Sequence, residues 1–197
     1  EGRIGRLSIV WEKPEIGSGL LPANAAADHL ELHLREPPVG EAKGAGTSGG
    51  AAAQAELVLA ASGFRLGAGS PVALELQADI AGQAPLRDFS AWAAGGAVAI
   101  RSLALRDATG EIARFTGRLT PDASGRLRVE GAIDTVCPAT VRAAVSGAAA
   151  PSEMRARKPE RIAVSGHVPA GLLAAAADPT RPAPPVRGQE PPCPRLR

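Results

Sequence analysis

Aromatic residues are scarce in this chain, at 3% of 197 residues, with two Trp, three Phe and no Tyr. A stacking surface for single-stranded nucleic acid needs more of them. The net charge of +2 is spread between 22 basic and 20 acidic residues, so the basic stripe that nucleic acid would require is also missing. Cysteine is limited to Cys137 and Cys193, which define no disulfide framework and are compatible with any compartment. No apolar run approaches the roughly 20 residues that span a bilayer, and these residues contain no signal peptide. What remains is an apolar share of 45%, drawn mostly from Ala, Leu and Val. A core built from such small residues is thin. It suits a sheet with helices on one face better than a thick globule.

The most legible stretch is 71–105. Val72, Leu74, Leu76, Ala78 and Ile80 alternate with Ala73, Glu75, Gln77 and Asp79. Period-two alternation predicts a half-buried antiparallel strand. Pro85 then opens a predicted helix. Leu86, Phe89, Trp92 and Ala93 share its inner face, and Gly95-Gly96 ends it. Val98 and Ile100 restart a strand that Leu103 and Leu105 continue with opposite parity, which predicts a bulge near Arg101-Ser102.

The same alternation recurs along the chain and predicts strands over 6–12, 28–35, 55–61, 113–119 and 127–133, with another at 161–166. Asp134 or Thr135 is placed to cap a helix reaching about residue 149, with Val136, Val141 and Val145 on its apolar face. A helical turn is expected at 172–177. The spacing of 74–80 matches that of 127–133, and Pro85 and Pro138 follow at equal distances, which predicts a repeated hairpin-plus-helix unit. The expected fold is mainly β (α+β): an antiparallel sheet of about seven strands with two short helices packed on one face. Residues 1–177 form the domain, with 36–54 as a flexible insertion rich in Gly, Ala and Ser. The proline-rich residues 178–197 are expected to be a disordered tail.

Few residues suggest chemistry. His29, Glu31 and His33 fall on one face of a strand and form a plausible zinc ligand set. A metal-dependent hydrolase using that exposed face is the alternative function. Arg35 continues the row, which favours a solvated face instead. Gly44, Gly46 and Gly49 fit a dinucleotide-binding spacing, but not the strand-to-helix context it requires. Asp79 and Asp88 suggest no pair beyond solvated carboxylates, and no G-x-S-x-G accompanies His167. Cys137, before Pro138, reads as a small buried residue rather than an activated thiol. No catalytic residue, metal ligand or cofactor is assigned. The alternating strands carry an apolar face with too few bulky residues to cover it. Leu74, Leu76 and Leu127 are the residues expected to line an apolar ligand face.

Two segments, AADHLELHLREPP and PLRDFSAWAAGGAVAIRSLALRDATGEIARFTGRLTPDASGRLRVEGAI, carry a family resemblance. They resemble the alphaproteobacterial envelope family described as domain of unknown function 2125. There a helical tryptophan precedes Gly-Gly and a strand, and an Asp-containing turn leads to a Gly-Arg strand. Trp92, Gly95, Gly96, Asp122, Gly125 and Arg126 match that order here. The resemblance covers about residues 7–147. It implies the C-terminal portion of a periplasmic protein held at the inner membrane by an N-terminal anchor. It brings no activity with it. The resulting expectation is a non-enzymatic envelope protein that holds an apolar ligand such as lipid, or docks to envelope proteins.

Overall fold

The computed structural model describes residues 5–17, 24–36, 53–84, 88–122, 126–146, 148–149, 151–168, 171–174 and 190–196. Its strands are β1 (Arg6–Glu12), β2 (Glu15–Ile16), β3 (Ala25–Ala26), β4 (His29–Arg35), β5 (Ala53–Leu66), β6 (Val72–Ala81), β7 (Ala97–Asp107), β8 (Gly110–Pro121), β9 (Leu127–Thr135), β10 (Glu160–Val168) and β11 (Gly171–Ala174). The helices are α1 (Phe89–Ala93) and α2 (Pro138–Ser146). The fold is mainly β, as expected, and antiparallel throughout. The sheet runs in the order β1-β4-β5-β6-β7-β8-β9-β10-β11, so it has about nine strands rather than seven. The two-residue strands β2 and β3 attach beside it through β5.

The extra strands have identifiable origins. Residues 171–174, Gly-Leu-Leu-Ala, pair with β10 instead of forming the expected helical turn. A hairpin partner outweighs the helical preference of Leu and Ala over so short a stretch. β5 continues beyond the expected 55–61 through Gly63 to Leu66, and its ladder with β6 is irregular between Ala61 and Phe64. The bulge expected near Arg101-Ser102 is present. Gln77 pairs with Ser102 and Ala78 with Ile100, which leaves Arg101 as the additional residue. That insertion restores Leu103 and Leu105 to the face that Val98 and Ile100 occupy.

Register turns the alternation into rungs that cross the sheet. One rung joins Ile9, Leu32, Leu59, Leu76, Leu103, Phe115, Ile133 and Ile162. A second joins Trp11, Leu30, Ala61, Leu74, Leu105, Ala113 and Thr135. A third joins Leu7, Leu34, Leu57, Ala78, Ile100, Gly117, Gly131 and Val164. The two glycines of the third rung make room for the Phe115 ring, since a Cβ at either would come within 2.5 Å of it.

α2 covers one end of this apolar face. Val141 joins Ile112, Ala113, Ile162 and Val164 in a buried cluster, with Val136 and Val145 packed against it. The expected capping residue Thr135 does take part: its hydroxyl donates to the Ile112 carbonyl (2.8 Å) and accepts from the Cys137 amide (2.9 Å). Glu153 completes the cap by accepting from the amides of Ala139 (3.1 Å) and Thr140 (2.9 Å).

Two expectations about cysteine and the tail are corrected here. Cys137 is not a lone buried thiol, because it forms a disulfide with Cys193. Residues 190–196 are not a free tail. Cys193 and Leu196 pack on the buried cluster, the Cys193 amide donates to Glu153, and the Ser70 amide donates to Arg195. Residues 175–189 lie outside the described residues, as does 37–52 of the expected insertion. Ala53 and Gln54 already belong to β5.

α1 is shorter than expected. Asp88 caps it by accepting from the Ala91 amide (3.0 Å); Pro85, Leu86 and Arg87 lie outside the described residues. Trp92 is 5% exposed, and its indole N–H donates to the Ala81 carbonyl (3.0 Å). Gly82 and Gly96 lie against the ring, where any Cβ would collide with it. Of Phe89 and Trp92, the pair expected on the inner face of this helix, Trp92 packs as a plug that closes the β6–β7 connection, and the Phe89 side chain lies outside the described residues.

Candidate functional site: two faces of one sheet

The sheet separates its chemistry by face, because successive side chains point to opposite sides. The rungs between the apolar ones are polar. Glu12, His29 and Ser62 form one, and Ser8, His33, Val58 and Gln77 form another. Glu31 lies between the two histidines on β4, opposite Val10.

The structure brings His29, Glu31 and His33 together. His29 Nε2 lies 2.9 Å from Glu31 Oε1, and His33 Nε2 lies 3.4 Å from Glu31 Oε2. The remaining ring nitrogens are held by β1: His29 Nδ1 by Glu12 (2.7 Å) and His33 Nδ1 by Ser8 (2.9 Å). Hydrogen bonds to Glu31 and then Glu12 raise the His29 pKa above its ordinary 6.5. Hydrogen bonds from His29 and His33 hold the Glu31 carboxyl below its ordinary range. The row is therefore a hydrogen-bonded seam between β1 and β4. Among the described residues, no three His, Cys, Asp or Glu side chains are grouped as metal ligands.

The rest of the polar face is a lattice of ion pairs. Glu56 binds Arg35 and Arg101, and Arg101 also reaches Asp79 (3.3 Å). The Arg35 hydrogen bond keeps the Glu56 carboxyl below its ordinary pKa. Glu111 pairs with Arg114 (2.5 Å), and Arg106 with Glu75 (2.9 Å). Asp79 and Asp88 are thus separately engaged, one in this lattice and one as a helix cap. His167 faces Asp122 at 3.5 Å. Gly44, Gly46 and Gly49 lie outside the described residues.

The opposite face is apolar from β1 to β10. Leu74 and Leu76 occupy adjacent rungs near its middle, and both are half-buried. Leu127 shares their face but not their neighbourhood. It pairs with Pro121 and Val168, six residues from Ile133 along β9, or about 20 Å at strand spacing. In the rung of Leu76, every residue from Ile9 to Ile133 is only half-buried, and Ile162 alone is fully buried.

Sequence reasoning missed Cys193 as a partner for Cys137, Glu153 as a cap, and Glu12 and Ser8 as partners of the histidines. Asp88 was missed as the α1 cap as well, although the Asp-Phe-Ser-Ala run before Trp92 carried a readable cap signal. No family model matches the chain, and no curated protein or solved structure matches it.

Proposed function

We propose that this chain is a non-enzymatic cell-envelope protein whose apolar sheet face holds a lipid-like ligand. The half-buried rung Ile9–Leu32–Leu59–Leu76–Leu103–Phe115–Ile133 carries this reading. Apolar side chains left partly in water over so many strands gain free energy when an acyl chain covers the remaining exposed area, at about 25 cal/mol per Å². The opposite face, lined with ion pairs, has no such incentive. Aliphatic lining with few aromatics suits a flexible hydrocarbon chain better than a flat ring system.

The compartment follows from the same reading. The Cys137–Cys193 disulfide supports an oxidising environment, where such bonds persist. That agrees with the periplasmic setting implied by the family resemblance, including an N-terminal inner-membrane anchor. Docking to envelope proteins through the same face is the variant of this role in which a protein replaces the lipid. A hydrolase at His29, Glu31 and His33 has less support, since each ring nitrogen already meets a carboxylate or hydroxyl.

Titration with a fluorescent fatty acid tests the proposal. Saturable uptake is expected in the parent and loss of uptake in Leu76→Glu, because a carboxylate against an acyl chain is costly to desolvate. Circular dichroism must show the sheet intact in the variant. Absence of saturable uptake in the parent, or equal uptake by a folded Leu76→Glu protein, would overturn the reading.

A further inference from the structure

β1 is an edge strand, hydrogen-bonded only to β4 among the described residues. Leu7, Val10 and Trp11 on it are 40%, 54% and 42% exposed, and the only other large apolar side chain so exposed among the described residues is Met154. Edge strands ordinarily carry an interior charge, a proline or a bulge that discourages pairing. The interior of β1, Leu-Ser-Ile-Val-Trp, carries none of these. Its terminal charges, Arg6 and Glu12, cancel.

The free edge can be identified residue by residue. The Gly5 carbonyl accepts from the Glu36 amide (3.3 Å), and the Lys13 amide donates to the Asp28 carbonyl (2.9 Å). Backbone groups alternate along a strand. The amides and carbonyls of Leu7, Ile9 and Trp11 therefore face β4 as well. Those of Arg6, Ser8, Val10 and Glu12 face outward.

We infer that β1 pairs antiparallel with β1 of a second copy of this chain, about a two-fold axis at Ile9. The sequence Arg-Leu-Ser-Ile-Val-Trp-Glu is complementary to itself in that register. Arg6 meets Glu12 of the second copy, Leu7 meets Trp11, Ser8 meets Val10, and Ile9 meets its own counterpart. The pairs that exchange backbone hydrogen bonds are then Arg6–Glu12 and Ser8–Val10, whose polar backbone groups are the outward ones. Leu7–Trp11 and Ile9–Ile9 fall at the positions without backbone bonds, where side chains approach most closely.

Charge supplies an independent reason. Within one chain Arg6 lies opposite Arg35 on β4, and Arg35 is engaged by Glu56. Among the described residues Arg6 has no carboxylate partner. Glu12 of the second copy provides one on the open side. The apolar rungs through Leu7, Ile9 and Trp11 also continue across the axis, joining the apolar faces of both copies into one surface. The inference does not depend on what that surface holds.

Sedimentation of the intact chain over a concentration series tests it, with an expected monomer–dimer equilibrium. Val10→Pro removes an outward amide but no bond to β4, and should weaken the dimer at least about tenfold while leaving circular dichroism unchanged. Arg6→Glu should also dissociate it, and adding Glu12→Arg should restore it. Ile9→Cys should cross-link to itself on mild oxidation, whereas Leu7→Cys and Trp11→Cys should cross-link only when mixed. A chain that stays monomeric into the millimolar range would overturn the inference, including the case where another protein's strand takes the edge. A dimer indifferent to Val10→Pro, or a Leu7→Cys protein that cross-links alone as well as Ile9→Cys, would overturn it too.

Discussion

The β8–β10 end of the sheet and the β1–β6 region follow the same alternating pattern but differ in what lies on them. At the first, Ile112, Ala113, Ile162 and Val164 are sealed beneath α2, the disulfide and Leu196. In the second, Leu32, Leu57, Leu59 and Leu76 remain half-buried, and the buried cluster is limited to Ala27, Leu30 and Ala61 with Leu32, Phe64 and Leu74 against it. Alternation decides which face a side chain takes. Whether that face is dry depends on segments far away in sequence.

The largest expected effect probes the transition between the regions. Trp92→Ala removes the plug between β6 and β7, with its packing on Gly82 and Gly96 and its bond to Ala81. It should cost about 3–5 kcal/mol, as large aromatic truncations do. An unchanged thermal midpoint would mean that the open region does not need this closure.

The next prediction divides the two regions directly. Ile162→Ala, at a fully buried site, should cost about 2–5 kcal/mol. Leu59→Ala, on the same rung but five strands away and only half-buried, should cost about 1–2 kcal/mol because less area leaves water. Equal costs in urea denaturation would show that the open region is covered as well as the closed one.

The smallest effect concerns the β1–β4 seam. The raised His29 pKa stabilises the fold below 6.5, and that contribution is lost as pH rises through the raised value. The lowered Glu31 pKa stabilises above 4.5, and that contribution is lost as pH falls through the lowered value. The difference in thermal midpoint between parent and His29→Gln should therefore be greatest between 4.5 and 6.5 and should shrink in alkali. Both side chains are partly exposed, so solvent screening keeps the difference in thermal midpoint small. A difference that grows with pH would contradict the seam.

Much of the sheet could be read from the sequence because its rule is local. Val72 to Ile80 and Leu127 to Ile133 declare their inward faces by parity alone. The Arg101 bulge was visible as a parity break. The Cys137–Cys193 bond was not, since two cysteines 56 residues apart carry no periodicity. The order in residues 190–196 depends on that bond and on contacts with Glu153 and Ser70, so composition misled. Among candidate site residues, i and i+2 spacing was enough to put His29, Glu31 and His33 in a row. Their partners Glu12 and Ser8 required the β1–β4 register. Parity likewise placed Leu127 on the face of Leu76, while its position along β9 depended on which strands pair where.

The strand order has a consequence for synthesis. From β4 onward each strand of the main sheet pairs with the one before it, so every new strand leaving the ribosome finds its neighbour already made. The sheet can grow in the direction of translation, without waiting for distant segments. Cys137 is the exception: its only possible partner within the chain appears 56 residues later. Oxidation thus has to follow the synthesis of every strand from β4 to β11. Until then α2 is held on the sheet by its Val141 face, its caps and the Arg142–Glu160 ion pair, and the disulfide secures a cluster that the strands have already built.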